Sequence, residues 1–455
     1  MFKVNELINI VRGKLVCGNS DKIIKGFSID SRTLKSGEVF IAIKGINLNG
    51  HRFIKDALKK GAVCIIFSDS AARPCGNRIP FIRVQDTTSA LGDIASYLRE
   101  VLAVPVIAVT GSNGKTTAKE MISRVLSRKF NVLKNEGTKN NHIGLPMTLL
   151  GLRASHDFAV LEIGTNHFGE VGYLARVCRP NVGVITNIGP SHLKYFKSLA
   201  GVLKEKSSLL KHFAYPAVAV LNADDAFLTR QAGLKDIKTI TFGIHSESDF
   251  RASDIKTGKS GIKFMVNKKF RYFLPGLGMH NIYNALAAVV SGRIFGMSHK
   301  EMALALSGFS LPQGRMNLIN TRSTNIIDDT YNANPLSMSE AINALGEFKT
   351  KGRKILIMGD MLELGAAAER LHRKVGCQAA GICDKIITVG RLSKLAAQAA
   401  RFCGLDLKDI FTCEDSFEAG RVLFKEVRPG KDDIVLVKGS RMMKMEEVFK
   451  APHAL

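Results

Sequence analysis

The chain has 455 residues, of which 45% are hydrophobic and 23% charged, which is enough apolar mass for about two to four soluble domains. No run of about 18 apolar residues occurs and the first residues lack a secretory apolar block, so we expect no membrane-spanning helix and no export. The 65 Lys and Arg residues exceed the 40 Asp and Glu residues, for a net charge of +25, but they form no long block. We expect no nucleic-acid partner; a polyanionic small substrate or a basic proteome explains the charge equally well.

The eight cysteines are scattered, without a C-x-x-C pair or a neighbouring His cluster. We expect them to be reduced, mostly buried thiols of a protein in a reducing cytoplasm.

The first predicted domain covers residues 1–103. Short apolar runs separated by Gly- and Asn-rich turns predict strands at Val39–Ile43, Val63–Phe67 and Phe81–Val84. A helix is predicted over Thr88–Leu102. This segment is therefore expected to be a small α/β domain.

The second predicted domain covers residues 104–312. It opens with the continuous apolar run Val104–Thr110, which is typical of a strand buried on both faces. A helix with one apolar stripe follows, and further buried strands are predicted at Phe158–Ile163 and Val182–Ile188. The alternation of strand and helix predicts an α/β domain around a largely parallel sheet.

The third predicted domain covers residues 313–455. The boundary between it and the second domain lies in Leu311–Gly314 (LPQG), which has the Pro and Gly of a hinge. Helices are predicted at Ser337–Phe348 and Ala366–Ala380. Strands are predicted at Asn325–Asp328, Lys354–Met358, Lys385–Val389 and Ile434–Val437. The repeated strand–helix–strand order predicts a Rossmann-like domain.

A candidate phosphate loop, Thr110–Thr117 (TGSNGKTT), joins the first buried strand of the second domain to its helix. Glycines let successive backbone N–H groups surround phosphate oxygens, Lys115 reaches the outer phosphates, and a Thr hydroxyl can bind Mg²⁺. Val109 stands where the usual pattern has its first Gly, so the loop is a shortened one. The alternative is a Gly turn with a solvated Lys, but the strand before and the helix after favour nucleotide binding.

Several polar clusters have both a structural and a functional interpretation. Glu162 ends a predicted strand and could hold Mg²⁺ or form an ordinary salt bridge. Asn140–His142 could be a helix cap, and Thr186–Asn187 and His192 could be structural. Lys204–Lys206 looks like a solvated helix face. By contrast, the density of polar and turn-forming residues in Asp328–Pro335 (DDTYNANP) indicates a binding loop.

Taken in chain order, these segments resemble the Mur ligase family over nearly the whole chain. The motifs that carry the resemblance are TGSNGKTT, NNHIGLPMTLL, LEIGTNHFGEV, TNIGPSHL, GMHNIYNALAA, DDTYNANPLSM, MGDMLELG and LVKGSR. The resemblance implies a cytoplasmic, monomeric amide ligase of three α/β domains that hydrolyses ATP to ADP. DDTYNANP with GDMLELG further implies that it adds D-alanyl-D-alanine to UDP-N-acetylmuramoyl-tripeptide through an acyl phosphate. The third residue of that tripeptide, meso-diaminopimelate or lysine, stays open.

The resemblance also implies roles by position. The catalytic residues would be Lys115, His192, Lys206 and Arg315. ATP would be bound by Gly111, Ser112, Asn113, Gly114, Lys115, Thr116, Thr117, His280, Asn281, Asn284, Arg315, Asp328 and Asp329. Two Mg²⁺ sites would involve Thr116, Glu162, His192 and a carbamylated Lys206. The substrates would be bound by Ser31, Arg32, Lys44, Gly45, Asn140, Asn141, Tyr331, Asn332 and Asn334.

Two positions depart from the family pattern, because His142 replaces a usual acidic residue and Ser208 replaces a usual Glu. Two other functions remain as rivals. A sibling amide ligase, including a folate polyglutamate ligase, shares the phosphate loop but lacks YNANP. A P-loop switch or kinase that acts as a binding module would need neither the third α/β domain nor DDTYNANP.

Overall fold

The computed structural model describes residues 3–45, 48–68, 79–231, 236–321 and 323–450. Three β-sheets follow one another along the chain, each covered by helices. This is the three-domain α/β architecture that the sequence predicts, with a central parallel sheet and a Rossmann-like third unit. Within the described residues, no helix is long and apolar enough to cross a membrane.

The first sheet has the strand order β1-β5-β4-β3-β2, with only β1 antiparallel to its neighbour. Its strands are β1 Lys14–Cys17, β2 Gly26–Ser28, β3 Glu38–Ile41, β4 Cys64–Phe67 and β5 Phe81–Arg83. Its helices are α1 Val4–Ile10, α2 Ile54–Lys59 and α3 Thr87–Leu102. Helix α3 is capped at its N-terminus by Asp86, whose carboxylate accepts from the backbone N–H of Thr88. Its C-cap is Ala103, which has the left-handed conformation.

The central sheet has nine strands in the order β14-β13-β12-β11-β10-β9-β6-β8-β7. The strands are β6 Val106–Thr110, β7 Val132–Lys134, β8 Phe158–Glu162, β9 Val182–Ile185, β10 Val218–Asn222, β11 Lys238–Gly243, β12 Phe250–Gly258, β13 Gly261–Val266 and β14 Phe270–Leu274. Strands β6 to β12 pair in parallel, whereas β12, β13 and β14 form an antiparallel extension that the sequence analysis did not predict. The alternating burial of β12 to β14 is typical of a sheet with one solvated face.

Helices cover both faces of the central sheet. They are α4 Lys115–Leu126, α5 Gly144–Leu149, α6 Glu170–Cys178, α7 Leu193–Phe196, α8 Leu199–Ser207, α9 Ala226–Thr229, α10 His280–Ile294 and α11 His299–Ser307. On one face α4 packs against α10, and on the other α5 and α6 pack against α3 of the first unit. The hydrophobic core of the first unit is therefore continuous with one side of the central sheet.

The third sheet has the order β15-β16-β20-β17-β18-β19 and is parallel except for β15. Its strands are β15 Asn317–Asn320, β16 Asn325–Asp329, β17 Lys354–Gly359, β18 Lys385–Val389, β19 Ile410–Cys413 and β20 Ile434–Lys438. Its helices are α12 Pro335–Glu347, α13 Ala368–Ala380, α14 Ser393–Phe402 and α15 Ser416–Val422. The domain limits at 103 and 312 stay predictions.

Two sequence-based expectations are wrong. Cys377 on α13 and Cys403 after α14 form a disulfide, so the cysteines are not all free thiols; Cys75 lies outside the described residues. The segment Lys204–Lys206 is not a solvated helix face, because Glu205 is 3% exposed and Lys206 is 1% exposed. A short charged run looks the same in sequence whether its helix faces solvent or packs inward, and α6 covers this one.

Candidate active site

The phosphate loop lies between β6 and α4, where its backbone passes very close to neighbouring side chains. Gly111 has φ +148° and Gly114 has φ +79°. A Cβ at Gly111 would lie 1.9 Å from Thr186 Oγ1, and one at Gly114 would lie 2.3 Å from Asn284 Oδ1. Only glycine therefore fits at these two positions, which explains the Gly spacing of the motif.

The loop is also fixed by hydrogen bonds from the end of β9. The backbone N–H of Asn113 donates to Asn187 Oδ1 at 2.9 Å, and that of Ser112 donates to the carbonyl of Asn187 at 2.9 Å. Ser112 Oγ donates to the carbonyl of Gly189 at 3.0 Å. Asn187 is therefore structural, but what it positions is the loop at the N-terminus of α4, where phosphate oxygens are favoured.

Lys115 lies beneath this loop. Its ammonium donates to the carbonyls of Gly111 at 2.9 Å and Ser112 at 3.2 Å. Burial lowers the pKa of Lys115, the Glu162 carboxylate opposes that shift, and the Arg315 guanidinium adds to it. A partly desolvated cation of this kind attracts phosphate more strongly than a solvated lysine would.

Thr116 connects the loop to the other strands of the site. Its hydroxyl donates to Glu162 Oε2 at 2.8 Å and accepts from Arg315 Nη2 at 3.0 Å. The second carboxylate oxygen of Glu162 accepts from Asn140 Nδ2 at 2.8 Å. Among the residues that the structure describes, Glu162 is held by hydrogen bonds and makes no salt bridge. A carboxylate and a hydroxyl, both oxygen donors, fit the preference of Mg²⁺ for one or two carboxylates together with substrate phosphates.

Residues of the third domain contact the site from the side opposite the central sheet. The Arg315 guanidinium lies 4.0 Å from the centre of the Tyr331 ring, and the side-chain amides of Asn113 and Asn334 lie 2.6 Å apart. Asn334 also accepts from the backbone N–H of Ser337 and so begins α12. The predicted binding loop Asp328–Pro335 therefore faces the phosphate loop directly.

His192 also makes its contact across this interface. His192 Nδ1 lies 2.5 Å from Glu363 Oε2, and the backbone N–H of Lys194 donates to the carbonyl of Glu363 at 2.9 Å. Both His192 (φ 51°) and Glu363 (φ 63°) have left-handed backbones. Such conformations cost about 1 kcal/mol or more each and persist where surrounding contacts enforce them, commonly at functional sites.

These residues surround one cavity of about 860 Å³ between the central and third domains. Most of the predicted site residues line it: Ser112, Asn113, Gly114, Lys115, Thr116, Thr117, Asn140, Asn141, Glu162, His192, His280, Asn281, Asn284, Arg315, Asp329, Tyr331, Asn332 and Asn334. Gly111, Lys206 and Asp328 are not among the described lining residues. Asp328 instead accepts from the Thr330 hydroxyl at 2.6 Å, and Asp329 pairs with buried Lys438 at 2.5 Å.

Lys206 lies behind the cavity wall on α8. Burial lowers the pKa of Lys206 well below its ordinary value, the Lys115 ammonium lowers it further, and the Glu205 carboxylate partly opposes the shift. The neutral amine is therefore easier to reach at Lys206 than at a solvated lysine. We find no cluster of three or more His, Cys, Asp or Glu side chains with metal-binding geometry in the parts of the chain that the structure describes.

A smaller cavity of about 340 Å³ adjoins the phosphate loop and is lined by Asn113, Gly114, Asp224, His280, Tyr283, Asn284 and Glu340, among others. His280 Nδ1 is buried and has no hydrogen-bond partner among the described residues. An unpaired buried nitrogen favours a ligand that completes its hydrogen bond. The two cavities share His280 and Asn284, so a nucleotide could extend from one to the other.

The four predicted residues of the first domain lie apart from this cavity. Ser31 is buried, whereas Arg32 has an 85% exposed side chain that pairs with Asp30. Lys44 and Gly45 are exposed. Their assignment to the UDP-sugar stays a prediction.

Sequence reasoning missed Glu205, Glu363, Lys438 and Arg441. The last three line the cavity from the third domain, and Leu362 N–H donates to Ser440 Oγ, which joins the two loops that carry Glu363 and Arg441. Those three follow or end a predicted apolar strand, and that position at the carboxyl edge of a parallel sheet is a signal that could have identified them, whereas Glu205 lies within a helix and has no such signal.

Comparison with known proteins decides the family. Three domain descriptions match in order: "Mur ligase family, catalytic domain" over residues 23–99, "Mur ligase middle domain" over 109–292, and "Mur ligase, glutamate ligase domain" over 314–441. The UDP-N-acetylmuramoyl-tripeptide--D-alanyl-D-alanine ligase of Bacillus subtilis (strain 168) is 34% identical, with 98% of this chain and 97% of that protein covered. The chain belongs to the Mur ligase family.

Solved structures of Mur ligases agree with this placement. MurF from Acinetobacter baumannii has a TM-score of 0.89 at 32% identity, with 99% of this chain and 98% of that chain covered. MurF from Thermotoga maritima in complex with ADP has a TM-score of 0.84 at 27% identity, with 95% and 98% covered. The family, the three-domain fold and the use of ATP are thus consistent with one another.

Proposed function

We propose that this Mur ligase hydrolyses ATP to ADP and phosphate while it joins D-alanyl-D-alanine to UDP-N-acetylmuramoyl-tripeptide, in peptidoglycan precursor synthesis. The observation that carries the proposal is the meeting of two loops at one cavity. The phosphate loop approaches from the central domain and the Tyr331–Asn334 segment approaches from the third. Similarity over the full chain to ligases named for this reaction supports the choice of substrates.

In the first step, the terminal carboxylate of the tripeptide attacks the γ-phosphorus of ATP, an O–P bond forms, and ADP leaves with the electrons of the broken P–O bond. Two anions must meet, so the site has to neutralise charge. Lys115 supplies positive charge beneath the phosphate loop, and Arg315 supplies it beside the Thr116 hydroxyl. The chain's contribution is to hold these groups in position before the reaction.

The oxygen donors of Thr116 and Glu162 would hold Mg²⁺, with His192 and Lys206 as further candidates for a second ion. Bound there, Mg²⁺ would polarise the transferring phosphoryl group and offset its charge. In the structure His192 Nδ1 contacts Glu363, so Nε2 is the ring nitrogen that would bind the ion, with the Glu363 carboxylate orienting the ring.

We propose that Lys206 carries a carbamate. Its neutral amine attacks carbon dioxide, an N–C bond forms, and one proton is released to water, which leaves an anionic group with two oxygens. Burial favours the neutral amine that this step needs. An ammonium repels a metal ion, whereas a carbamate offers the oxygen ligands that Mg²⁺ prefers.

In the second step, the neutral amine of the dipeptide attacks the acyl carbonyl, a C–N bond forms, the C–O bond to phosphate breaks, and the nitrogen releases one proton as phosphate leaves. The amine must approach from the third-domain side, where Tyr331, Asn332 and Asn334 line the cavity. Asn140 and Asn141 line the opposite wall and would contact the tripeptide. An enclosed site would protect the acyl phosphate from water.

The remaining assignments complete the proposal. Ser31, Arg32, Lys44 and Gly45 would bind the UDP-sugar. His280, Asn281, Asn284 and the Asp328–Asp329 pair would bind the nucleoside, with Gly111 to Thr117 around the phosphates. We further propose a cytoplasmic monomer with domains at residues 1–103, 104–312 and 313–455, without membrane insertion or nucleic-acid binding.

Amine specificity tests this function. ATP-dependent phosphate release is measured with UDP-N-acetylmuramoyl-tripeptide and, in parallel, D-alanyl-D-alanine, L-alanine, D-glutamate or no amine, using both meso-diaminopimelate and lysine tripeptides. We expect rapid release only with the dipeptide. Release with a single amino acid and not with the dipeptide would identify a sibling ligase instead. Release without any amine acceptor would favour a hydrolytic P-loop switch.

A further inference from the structure

Glu205 is a buried carboxylate that lies next to Lys206 on α8. Neighbouring residues on a helix point about 100° apart, so the two side chains face different surroundings. Lys206 is within electrostatic range of Lys115, whereas Glu205 faces the loop that follows β8. Neither the phosphate-loop chemistry nor the proposed carbamate uses Glu205.

The Glu205 carboxylate caps a helix that cannot cap itself. Helix α6 begins after Gly169, which has φ 90° and no side chain to satisfy the first N–H groups. Glu205 Oε2 accepts from the backbone N–H of Gly169 at 2.7 Å, and Oε1 accepts from that of Val171 at 2.8 Å. A negative charge at a helix N-terminus also interacts favourably with the helix dipole. The capping carboxylate therefore belongs to a residue 36 positions later in the chain than Gly169.

The capped segment is part of the reaction cavity. The loop from Gly164 to Glu170 begins two residues after Glu162, and most of its residues line the cavity wall. Thr165, which belongs to this loop, has its Oγ1 3.3 Å from Glu205 Oε1. The two backbone hydrogen bonds therefore tie α8, which carries Lys206, to the loop attached to Glu162.

We propose that Glu205 is a positioning residue for the reaction: by capping α6 across the cavity wall, it fixes Lys206 relative to Glu162. A lysine side chain is a flexible four-carbon stem, so the group at its end keeps one position in the site only if the helix that carries it cannot shift. This inference rests on the proposed role of Lys206. Glu205 touches no reacting atom in this account and acts through Lys206 alone.

Ser208 offers an independent position for the same carboxylate. It lies three residues later, and i, i+3 residues share a helix face. Ser208 Oγ lies 3.6 Å from where a Cβ of Gly172 would be, so position 208 faces the first turn of α6. A Glu at 208 could reach the N–H groups that Glu205 now satisfies.

A double-mutant cycle in the full-length protein tests the proposal. Wild type, Glu205→Gln, Lys206→Ala and the double variant are assayed for kcat and for the KM of ATP. We expect Glu205→Gln to lower kcat by about ten-fold or more with the KM of ATP within about three-fold, because the amide nitrogen faces a backbone donor. In the Lys206→Ala background the same change should alter the residual kcat by less than about two-fold.

Asp433→Asn is the matched control, because Asp433 is buried and its carboxylate also accepts from two backbone N–H groups, those of Arg353 at 2.6 Å and Gly430 at 2.8 Å. Asp433→Asn should lower the thermal stability of the protein, and it should change kcat by the same factor in the wild-type and Lys206→Ala backgrounds. If Glu205→Gln does not fold, Glu205→Gln/Ser208→Glu replaces it, and we expect this variant to fold and to regain most of the wild-type kcat. Recovery of the fold without kcat would overturn the proposal.

Three further outcomes would overturn it. Glu205→Gln within three-fold of wild type, while Lys206→Ala is inactive, would leave the proposed function intact and remove the positioning role. An equal loss of kcat in both backgrounds would reduce Glu205 to a structural cap. Full activity of Lys206→Ala would reject both the carbamate and the positioning role, and wild type without any ligase activity would reject the proposed function itself.

Discussion

Replacing Arg315 by Ala should lower kcat/KM strongly and lower the stability of the fold much less. Arg315 donates to Thr116 Oγ1 at 3.0 Å and stacks at 4.0 Å on Tyr331, so it joins the phosphate loop to the third domain. A hydrogen bond from a charged donor contributes about 1.5–3 kcal/mol, and a cation–π contact about 0.5–2 kcal/mol. Because these contacts hold the guanidinium where negative charge develops on the transferring phosphoryl group, we expect its removal to cost about 2–4 kcal/mol of transition-state stabilisation, or roughly 30- to 1000-fold in kcat/KM for ATP.

The assay is steady-state phosphate release with saturating tripeptide and dipeptide, accompanied by thermal unfolding. Arg421→Ala is the control, because Arg421 also lies near an aromatic ring, at 6.0 Å from that of Phe417, but is exposed and lies away from the cavity. It should remain within about two-fold of wild type. Arg315→Ala within three-fold of wild type would refute the view that the third domain completes the ATP site through this residue.

Two predictions concern other buried groups. Lys206→Ala should lose most activity and regain part of it with added acetate, a carboxylate that can stand in for the carbamate; full activity without acetate would refute the carbamate. His372 is buried and neutral, because Nε2 accepts from Met361 N–H at 2.9 Å and Nδ1 donates to the carbonyl of Ala368 at 2.7 Å. Burial lowers the pKa of His372 from 6.5, so the unfolded chain binds the proton more readily and stability should fall as pH drops below about 6.5. The unfolding temperature of wild type should fall more between pH 7.5 and 5.5 than that of His372→Gln, and equal slopes would contradict this.

The sequence predicts best those elements whose structure depends on residues that are close together in the chain. The run Val104–Thr110 followed by GSNGKTT predicts a buried strand, a tight glycine turn and a helix, and the structure has β6 and α4 at these places. The buried strands Phe158–Ile163 and Lys385–Val389 are also confirmed within one residue. In each case the apolar run and its ends are local properties of the chain.

What the sequence could not give depends on distant partners. Nothing around Glu205 indicates that α6, 36 residues away in the chain at Gly169, needs its carboxylate as a cap. The His192–Glu363 contact joins residues 171 positions apart, and Cys377 meets Cys403 only because α13 packs on α14. The antiparallel strands β12 to β14 were missed because their short alternating runs carry many charged residues.

The central claim is that ATP activates the tripeptide carboxylate before the amine attacks, and isotope transfer tests it most directly. UDP-N-acetylmuramoyl-tripeptide labelled with ¹⁸O in its terminal carboxylate is converted with ATP and D-alanyl-D-alanine, and the released phosphate is analysed by mass spectrometry. The account predicts one ¹⁸O atom in each phosphate, because the carboxylate oxygen that attacks phosphorus leaves with it. Unlabelled phosphate accompanied by amide product would contradict the acyl phosphate and with it the proposed reaction.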